Sequence, residues 1–246
     1  MKKISLILIA AMMLALVSCQ EAEPAPTSEG PTQGSGSVKV NEELDEVEEA
    51  QEGGQILTKV SWLFFDSAES LVKDFDYVVT GKVTGISFRV LDGKTGLPLQ
   101  ENWREYYKEY YGGEFEVWKV AKLFTFYDIE VFTAYKGEPN KTIEVMVMSG
   151  LRDYRTEEQL ALLKEYGVDI ISFCDDYPKL EIGESYLFAL DQYEEIPWAV
   201  LGNPYQSLFD LRESLETMKR GISARDIISV FGEEEWKAFE AQWGRA

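Results

Sequence analysis

Histidine is absent from the chain, and cysteine occurs only at Cys19 and Cys174. These two facts bound the available chemistry. Without imidazole there is no Ser-His-Asp or Cys-His nucleophile activation, no imidazole zinc site and no ordinary neutral-pH general base. Neither a GxxxxGK[ST] phosphate loop nor a GxGxxG turn occurs. Carboxylates are abundant, and a pair of them can hydrolyse glycosides or hold a hard cation. Nothing in the sequence singles out such a pair. Asp175-Asp176 and Glu233-Glu234-Glu235 are local acidic runs, but neither has the spaced ligands of an EF-hand loop. No metal and no cofactor is expected.

Aromatic side chains are the second source of chemistry. In LQENWREYYKEYYGGEFEVWKVAK, Trp103, Tyr106, Tyr107, Tyr110 and Tyr111 fall before Gly112, and Trp118 follows. The segment reads either as a hairpin extension or as a short helix followed by a strand. Its rings serve either as a satellite cluster covering one end of the domain or as a ligand platform, since Tyr and Trp combine apolar faces with polar tips. Cys174 ends the apolar run in IISFCDDYP. A reactive thiol needs an electropositive setting, whereas Asp175 and Asp176 supply the opposite, so Cys174 is expected to be a small buried hydrophobe.

The other cysteine has a different context. Lys2 and Lys3 precede an apolar stretch, Ile4 to Val17, interrupted only by Ser5. Such a stretch suits a secretory signal and is short for a membrane span. Leu16-Val17-Ser18-Cys19 resembles the lipobox of bacterial lipoproteins. The resemblance implies cleavage after Ser18 and acylation of Cys19, which would then hold the protein at the extracytoplasmic face of a bacterial membrane. A lipidated Cys19 leaves Cys174 without a disulfide partner. Residues 20–55 carry ten acidic residues against the single Lys39, with no aromatic residue. They cannot bury enough apolar surface to offset chain entropy, so a disordered acidic tether is expected. NEELDEVEEAQEGG within it could be transiently helical.

A formal net charge of −20 argues against nucleic-acid binding and against electrostatic docking on anionic lipid. Membrane affinity would have to come from the anchor. The remaining length is enough for one domain with a sizeable core.

The elements that must position these residues follow from pattern. Asp66 with Glu69 resembles a capping box, which predicts a helix from Ser67 to about Lys73. In DYVVTGKVTGISFRVLDGKTG, Tyr77, Val79 and Val83 share one parity, and Ile86, Phe88 and Val90 the other. A long strand bulged at Gly85 is expected. LFTFYDIEVFTAYKG alternates, with Leu123, Tyr127, Ile129, Val131 and Tyr135 on one face and Asp128 and Glu130 on the other. TIEVMV is the next strand, with Ile143, Val145 and Val147 inward. Thr156 with Gln159 predicts a capped helix ending at Gly167, with Leu160, Leu163 and Tyr166 on one side. VDIISF and YPKLEIGESYLFALDQYE supply further strands, and Tyr186, Phe188 and Leu190 share a face. PWAVLGNPYQSLFDL reads as a final strand or pair, broken at Gly202-Asn203-Pro204. Three C-terminal helices are expected: one from Asp210 with Glu213 to Gly221, one from Ser223 with Asp226 to Gly232, and one over Glu233–Trp243 bearing Trp236, Phe239 and Trp243.

The series DYVVTGKVTGI, YDIEVFTAYKG, TIEVMV and PKLEIGESYLFAL resembles a group of uncharacterised bacterial surface lipoproteins. The matching positions are Gly81 and Val83, then Lys136 and Gly137, then Leu180, Gly183, Tyr186, Leu187, Phe188 and Leu190, with Ala189 inserted. Such domains are similar to the barrel of tissue inhibitors of metalloproteinases and netrin modules, an OB-fold. Inhibition in that family uses an N-terminal cysteine that chelates the enzyme's zinc, and disulfides that fix it. Here the lipidated Cys19 would lie some 36 residues from the barrel, and no barrel disulfide is possible. The resemblance therefore implies the fold without that mechanism.

The expected fold class is mainly β with helical additions (α+β): an OB-like antiparallel β-barrel with C-terminal helices. The expected layout is a lipoprotein signal peptide over residues 1–18, lipidated Cys19 and tether over 19–55, the barrel domain over 56–211, and a packed helical segment over 212–246. The expected function is a non-enzymatic, membrane-anchored binding module for an envelope protein or glycan. Its first candidate ligand surface is Trp103, Tyr106, Tyr107, Tyr110 and Tyr111. The rival readings are a carboxylate-dependent cell-envelope hydrolase and a structural accessory acting through the C-terminal helices.

Overall fold

The structure is a computed structural model, which describes residues 51–52, 55–58 and 62–244. The signal segment, Cys19 and nearly all of the expected tether lie outside the described residues. The chain divides into residues 1–46 and a second unit, Val47–Ala246, to which all that follows belongs.

The centre of the second unit is a pair of sixteen-residue strands, β3 (Tyr77–Asp92) and β4 (Ala121–Lys136), paired antiparallel from Val78↔Lys136 to Asp92↔Ala121. Both are rich in β-branched and aromatic residues, which pack well on a pleated, half-buried surface. β5 (Thr142–Val147) adds to β4, β7 (Ser185–Leu190) to β3, and β9 (Leu208–Asp210) to β7. β8 (Ala199–Val200) runs parallel to β5. The order is β8-β5-β4-β3-β7-β9, an open six-stranded sheet. One antiparallel bridge, Asp191↔Val200, joins the residue after β7 to β8.

The sheet buries both faces. Val79 and Val83 enter the main core before Gly85, and Ile86, Phe88 and Val90 after it. The register shifts between Val83 and Gly85, as the change of parity requires. Two further shifts, at Val78/Val79 and Thr80/Gly81, were not legible in the pattern. Gly81 allows the close approach there. A Cβ at this position would lie 2.5 Å from Ile129 Cγ2 and 2.9 Å from the Glu130 carbonyl oxygen. Leu123, Tyr127 and Ile129 of β4, Val145 and Val147 of β5, and Tyr186, Phe188 and Leu190 of β7 complete this core.

The opposite face carries the helices at the two ends of the domain. α1 (Ala68–Asp74) sends Leu71 and Val72 against Val78, Leu187 and Ala189. α5 (Ala224–Ser229) and α6 (Glu233–Trp243) add Ile227, Ile228 and Phe239, with Trp236 and Trp243 packed beside them. The aromatic stripe of α6 is thus core packing. A third cluster joins Phe124 and Phe126 of β4 and Met146 of β5 to Ile196 and Trp198.

A largely antiparallel sheet and two of the three expected C-terminal helices are present, but the six-stranded sheet is open where a closed barrel was expected, and the chain is mixed α/β, with six helices among the described residues. Several local expectations need correction. α1 is capped by Ser67, whose Oγ accepts from Ser70 N at 3.2 Å, so the box is Ser67–Ser70 and not Asp66–Glu69. α4 (Thr156–Glu165) has no side-chain cap. Its Gln159 turns inward, accepts from Leu151 N at 3.0 Å and donates to Leu151 O at 2.8 Å. No helix runs from 210 to 221. Asp210 ends β9 and accepts from Arg212 N at 2.8 Å, as a helix N-cap would, but the residues that follow form turns and not a helix. The chain then passes through turns to a Lys219↔Ile222 bridge.

Strand structure also begins earlier than expected. β1 (Gln51–Glu52) and β2 (Gln55–Leu57) pair with each other, and β2 pairs parallel with β6 (Ile171–Phe173). Folded structure therefore starts inside the stretch read as tether. The reason is pairing with a distant partner strand, which composition does not reveal.

Candidate functional site

The aromatic segment forms α2 (Trp103–Tyr110), followed by a single turn, α3 (Val117–Val120), which leads into β4. Helical spacing divides its rings. Trp103 and Tyr107, four residues apart, are 9% and 3% exposed and belong to the main core. Tyr106, Tyr110 and Tyr111 are 56%, 60% and 40% exposed. The five candidates thus separate into two buried anchors and three solvent-facing rings. Phe115 closes the cluster from below, stacked 6.0 Å from Tyr111 and edge-on 6.2 Å from Trp103.

The anchor is also polar. Tyr107 donates its hydroxyl to Asp92 Oδ2 at 2.6 Å, while Asp92 Oδ1 accepts from Lys94 N at 2.8 Å. Burial, together with the Asp92 carboxylate, holds the Tyr107 phenol far above its usual pKa, so it remains a donor. The same turn aims the Lys94 ammonium at the rings, 3.7 Å from the Tyr110 centroid and 4.8 Å from that of Tyr111. Partial burial works against the Lys94 charge, but the Tyr111 and Tyr110 oxygens outweigh it and raise its pKa. The result is a rigid patch of ring faces, phenol hydroxyls and one cation. It can bind by stacking and hydrogen bonding and holds no nucleophile or base.

A second concavity was not singled out by sequence. It is a groove of about 400 Å³ with Asp175, Asp176, Pro204, Tyr205, Lys219 and Arg220 on its walls. Asp176 accepts from Trp62 Nε1 at 2.9 Å and also from the Tyr205 hydroxyl. That hydrogen bond, followed by burial, pushes the Tyr205 phenol up to about 12. Two buried amides hold the walls. Asn203 donates to Leu63 O at 2.8 Å. Gln206, fully buried, accepts from Phe65 N at 2.8 Å and donates to Phe65 O and Arg220 O at 3.0 and 3.1 Å. In sequence, Gly202-Asn203-Pro204 reads as a plain break between strands, and Lys219-Arg220 falls inside the helix expected from Asp210 to Gly221.

Other candidate chemistry is accounted for structurally. Cys174 is 5% exposed, and burial pushes its thiol up to about 11, the reverse of an activated cysteine. Asp191 is raised to about 7 by burial, with Asp74 and Asp76 adding repulsion and Lys136 opposing it. It sits at the bridge to β8 and lines neither the groove described nor the smaller hollow beside Cys174. Among the described residues no group of three or more acidic or cysteine side chains is placed to hold a metal. No described helix is long and apolar enough to cross a membrane.

The residues that carried the family resemblance are structural. Lys136 donates its ammonium to Val72 O at 2.6 Å and to Lys73 O at 3.0 Å, capping the end of α1. Gly137 has φ +77, and a Cβ there would meet the Tyr77 ring and, at 2.7 Å, Asp76 O. Tyr186 accepts from Glu181 N at 3.0 Å, which fixes the turn before β7.

Fold and surface together describe an α/β domain with an open six-stranded sheet, helices packed into the cores on both of its faces, and a tyrosine patch on an inserted helix. Compared with known proteins, the chain matches no family model and no curated protein.

Proposed function

We propose that the protein is a lipoprotein, anchored through Cys19 at the extracytoplasmic face of a bacterial membrane, and that it acts as a non-enzymatic binding module for an envelope protein or glycan. Its ligand surface is Tyr106, Tyr110 and Tyr111 with Lys94, while Trp103 and Tyr107 position them. The observation that carries the reading is the division of α2 into two buried anchors and three exposed rings.

The proposal includes an OB-like barrel of the surface-lipoprotein type. Support comes from the order β8-β5-β4-β3-β7-β9, the parallel β5–β8 pair and the Asp191↔Val200 bridge between β8 and the residue after β7. In OB barrels ligands bind on the face of the second and third strands and on the adjoining loops. On this reading those strands are β4 and β5, and the chain covers part of their face itself. Trp198 lies 5.0 Å edge-on from Phe126 and shares a buried cluster with Met146. The loop between the first two barrel strands remains open, and α2 stands in that loop.

The test is chemical crosslinking in intact native cells, followed by mass spectrometry of what copurifies. A specific set of partners should be retained by the native chain and lost in both Cys19→Ala and the triple variant Tyr106→Ala, Tyr110→Ala, Tyr111→Ala. Retention of the same partners by the triple variant contradicts the assignment of the surface.

A further inference from the structure

In a chain with 44 acidic and 24 basic residues, cations are readily neutralised. Lys82, Arg89, Arg152, Arg212 and Arg225 each lie against a carboxylate. Arg220 does not. Among the described residues it forms no ion pair, and its guanidinium lies over two rings, 5.0 Å from the Phe64 centroid and 5.6 Å from that of Tyr205. The acids that share its groove are already committed. Asp175 pairs with Arg152 Nη1 at 3.2 Å, and Asp176 takes the indole of Trp62 and the hydroxyl of Tyr205. Lys219 donates to Leu208 O at 2.9 Å.

The groove is also built in advance. Arg220 has φ +51, a conformation that non-glycine residues adopt at a cost, and its carbonyl is held by Gln206. Three distant segments meet there through buried amides, so little order remains to be imposed by a ligand. Its volume of about 400 Å³ suits a small molecule or a chain end. A planar, bidentate anion matches the free guanidinium. An apolar body matches Pro178, Pro204 and the ring of Tyr205.

We infer that the Tyr205–Arg220 groove is a binding site for a carboxylate attached to an apolar group, with Arg220 as the carboxylate receptor and Pro178, Pro204 and Tyr205 as the apolar wall. The carboxylate can belong to a free small acid or to the C-terminus of a peptide. The site is independent of the tyrosine patch on α2, so either assignment can fail without the other.

The test is a titration of the full chain, followed by NMR signals of the Arg220 Nε–H and the Trp62 indole N–H. The probes are N-acetylphenylalanine, an acetylated tripeptide ending in phenylalanine, the C-terminal amides of both, and inorganic phosphate. Both acids should shift these signals, with the amides at least about 10-fold weaker, the equivalent of one charge-assisted hydrogen bond. Equal affinity of the two acids assigns the site to small acids, whereas tighter binding of the tripeptide assigns it to peptide ends. Arg220→Asn, which tolerates the same backbone conformation, should keep the thermal melt and lose the preference for acids. Amides binding as well as acids, phosphate binding more tightly than either acid, undiminished binding by Arg220→Asn, or no shift at millimolar probe would each overturn the inference.

Discussion

The α2 patch and the Tyr205–Arg220 groove display the same chemistry, tyrosine rings beside a cation, but hold it in different ways. The patch is one helix pinned by Trp103 and Tyr107. The groove is assembled from segments near residues 63, 175, 204 and 220, joined by Asn203 and Gln206. A local device loses little when one bond is cut, whereas a device spanning the fold loses its walls. Mutational cost should therefore be larger on the groove side.

The largest difference is expected from Asp191, whose carboxylate oxygen lies against Gly202, next to the groove residue Asn203. Its folded pKa of about 7 is above that of an unfolded aspartate. Its favourable, protonated form is therefore fully present below about pH 4, and that contribution is lost as pH rises through about 7. The shift corresponds to up to about 4 kcal/mol at alkaline pH. Asp191→Asn should melt higher than the native chain at pH 8, and the gap should shrink on acidification. Asp74, Asp76, Lys136 and Tyr193 face or influence the same site, so the comparison should be made in these surroundings unchanged. A gap that does not vary with pH would remove the electrostatic account.

Gln206→Ala comes next. It leaves Phe65 N, Phe65 O and Arg220 O without their partner, at about 1–3 kcal/mol for each such group that stays dry. A loss of about 3 kcal/mol in urea unfolding is expected, together with faster exchange of the Phe65 amide. Tyr107→Phe is the matched test on the helix side. It removes one hydrogen bond to a charged acceptor and keeps the ring, so about 1.5 kcal/mol should be lost. If Tyr107→Phe cost more than Gln206→Ala, the contrast between a local and an assembled site would be wrong.

The same contrast decides how much could be read from sequence. The parity change at Gly85 and the stripe of α6 are periodic, and each was legible. The alternation of β4 holds for Leu123, Tyr127, Ile129 and Val131, but Tyr135, at the Val78/Val79 register shift, packs with Phe231 and Phe239 on the other face. The paired tyrosines at 106–107 and 110–111 hid the two-faced helix, because neither period is visible until the element type is known. The expected helix after Asp210 is absent although its capping bond to Arg212 N forms, so a capping signal alone did not decide the element. The groove was not legible, since its hydrogen bonds join residues about 140 positions apart. For the same reason β2 was hidden in an acidic stretch, its partner Ile171–Phe173 being far away.

The exposed face of α2 is the surface proposed to meet a partner. The most direct measurement places a photocrosslinking amino acid at Tyr110 in intact native cells, with Glu213 as the exposed control position. A discrete adduct is expected from position 110, absent from position 213 and lost in Cys19→Ala, which removes the proposed anchor. No adduct from position 110, or the same products from both positions, would contradict the proposal.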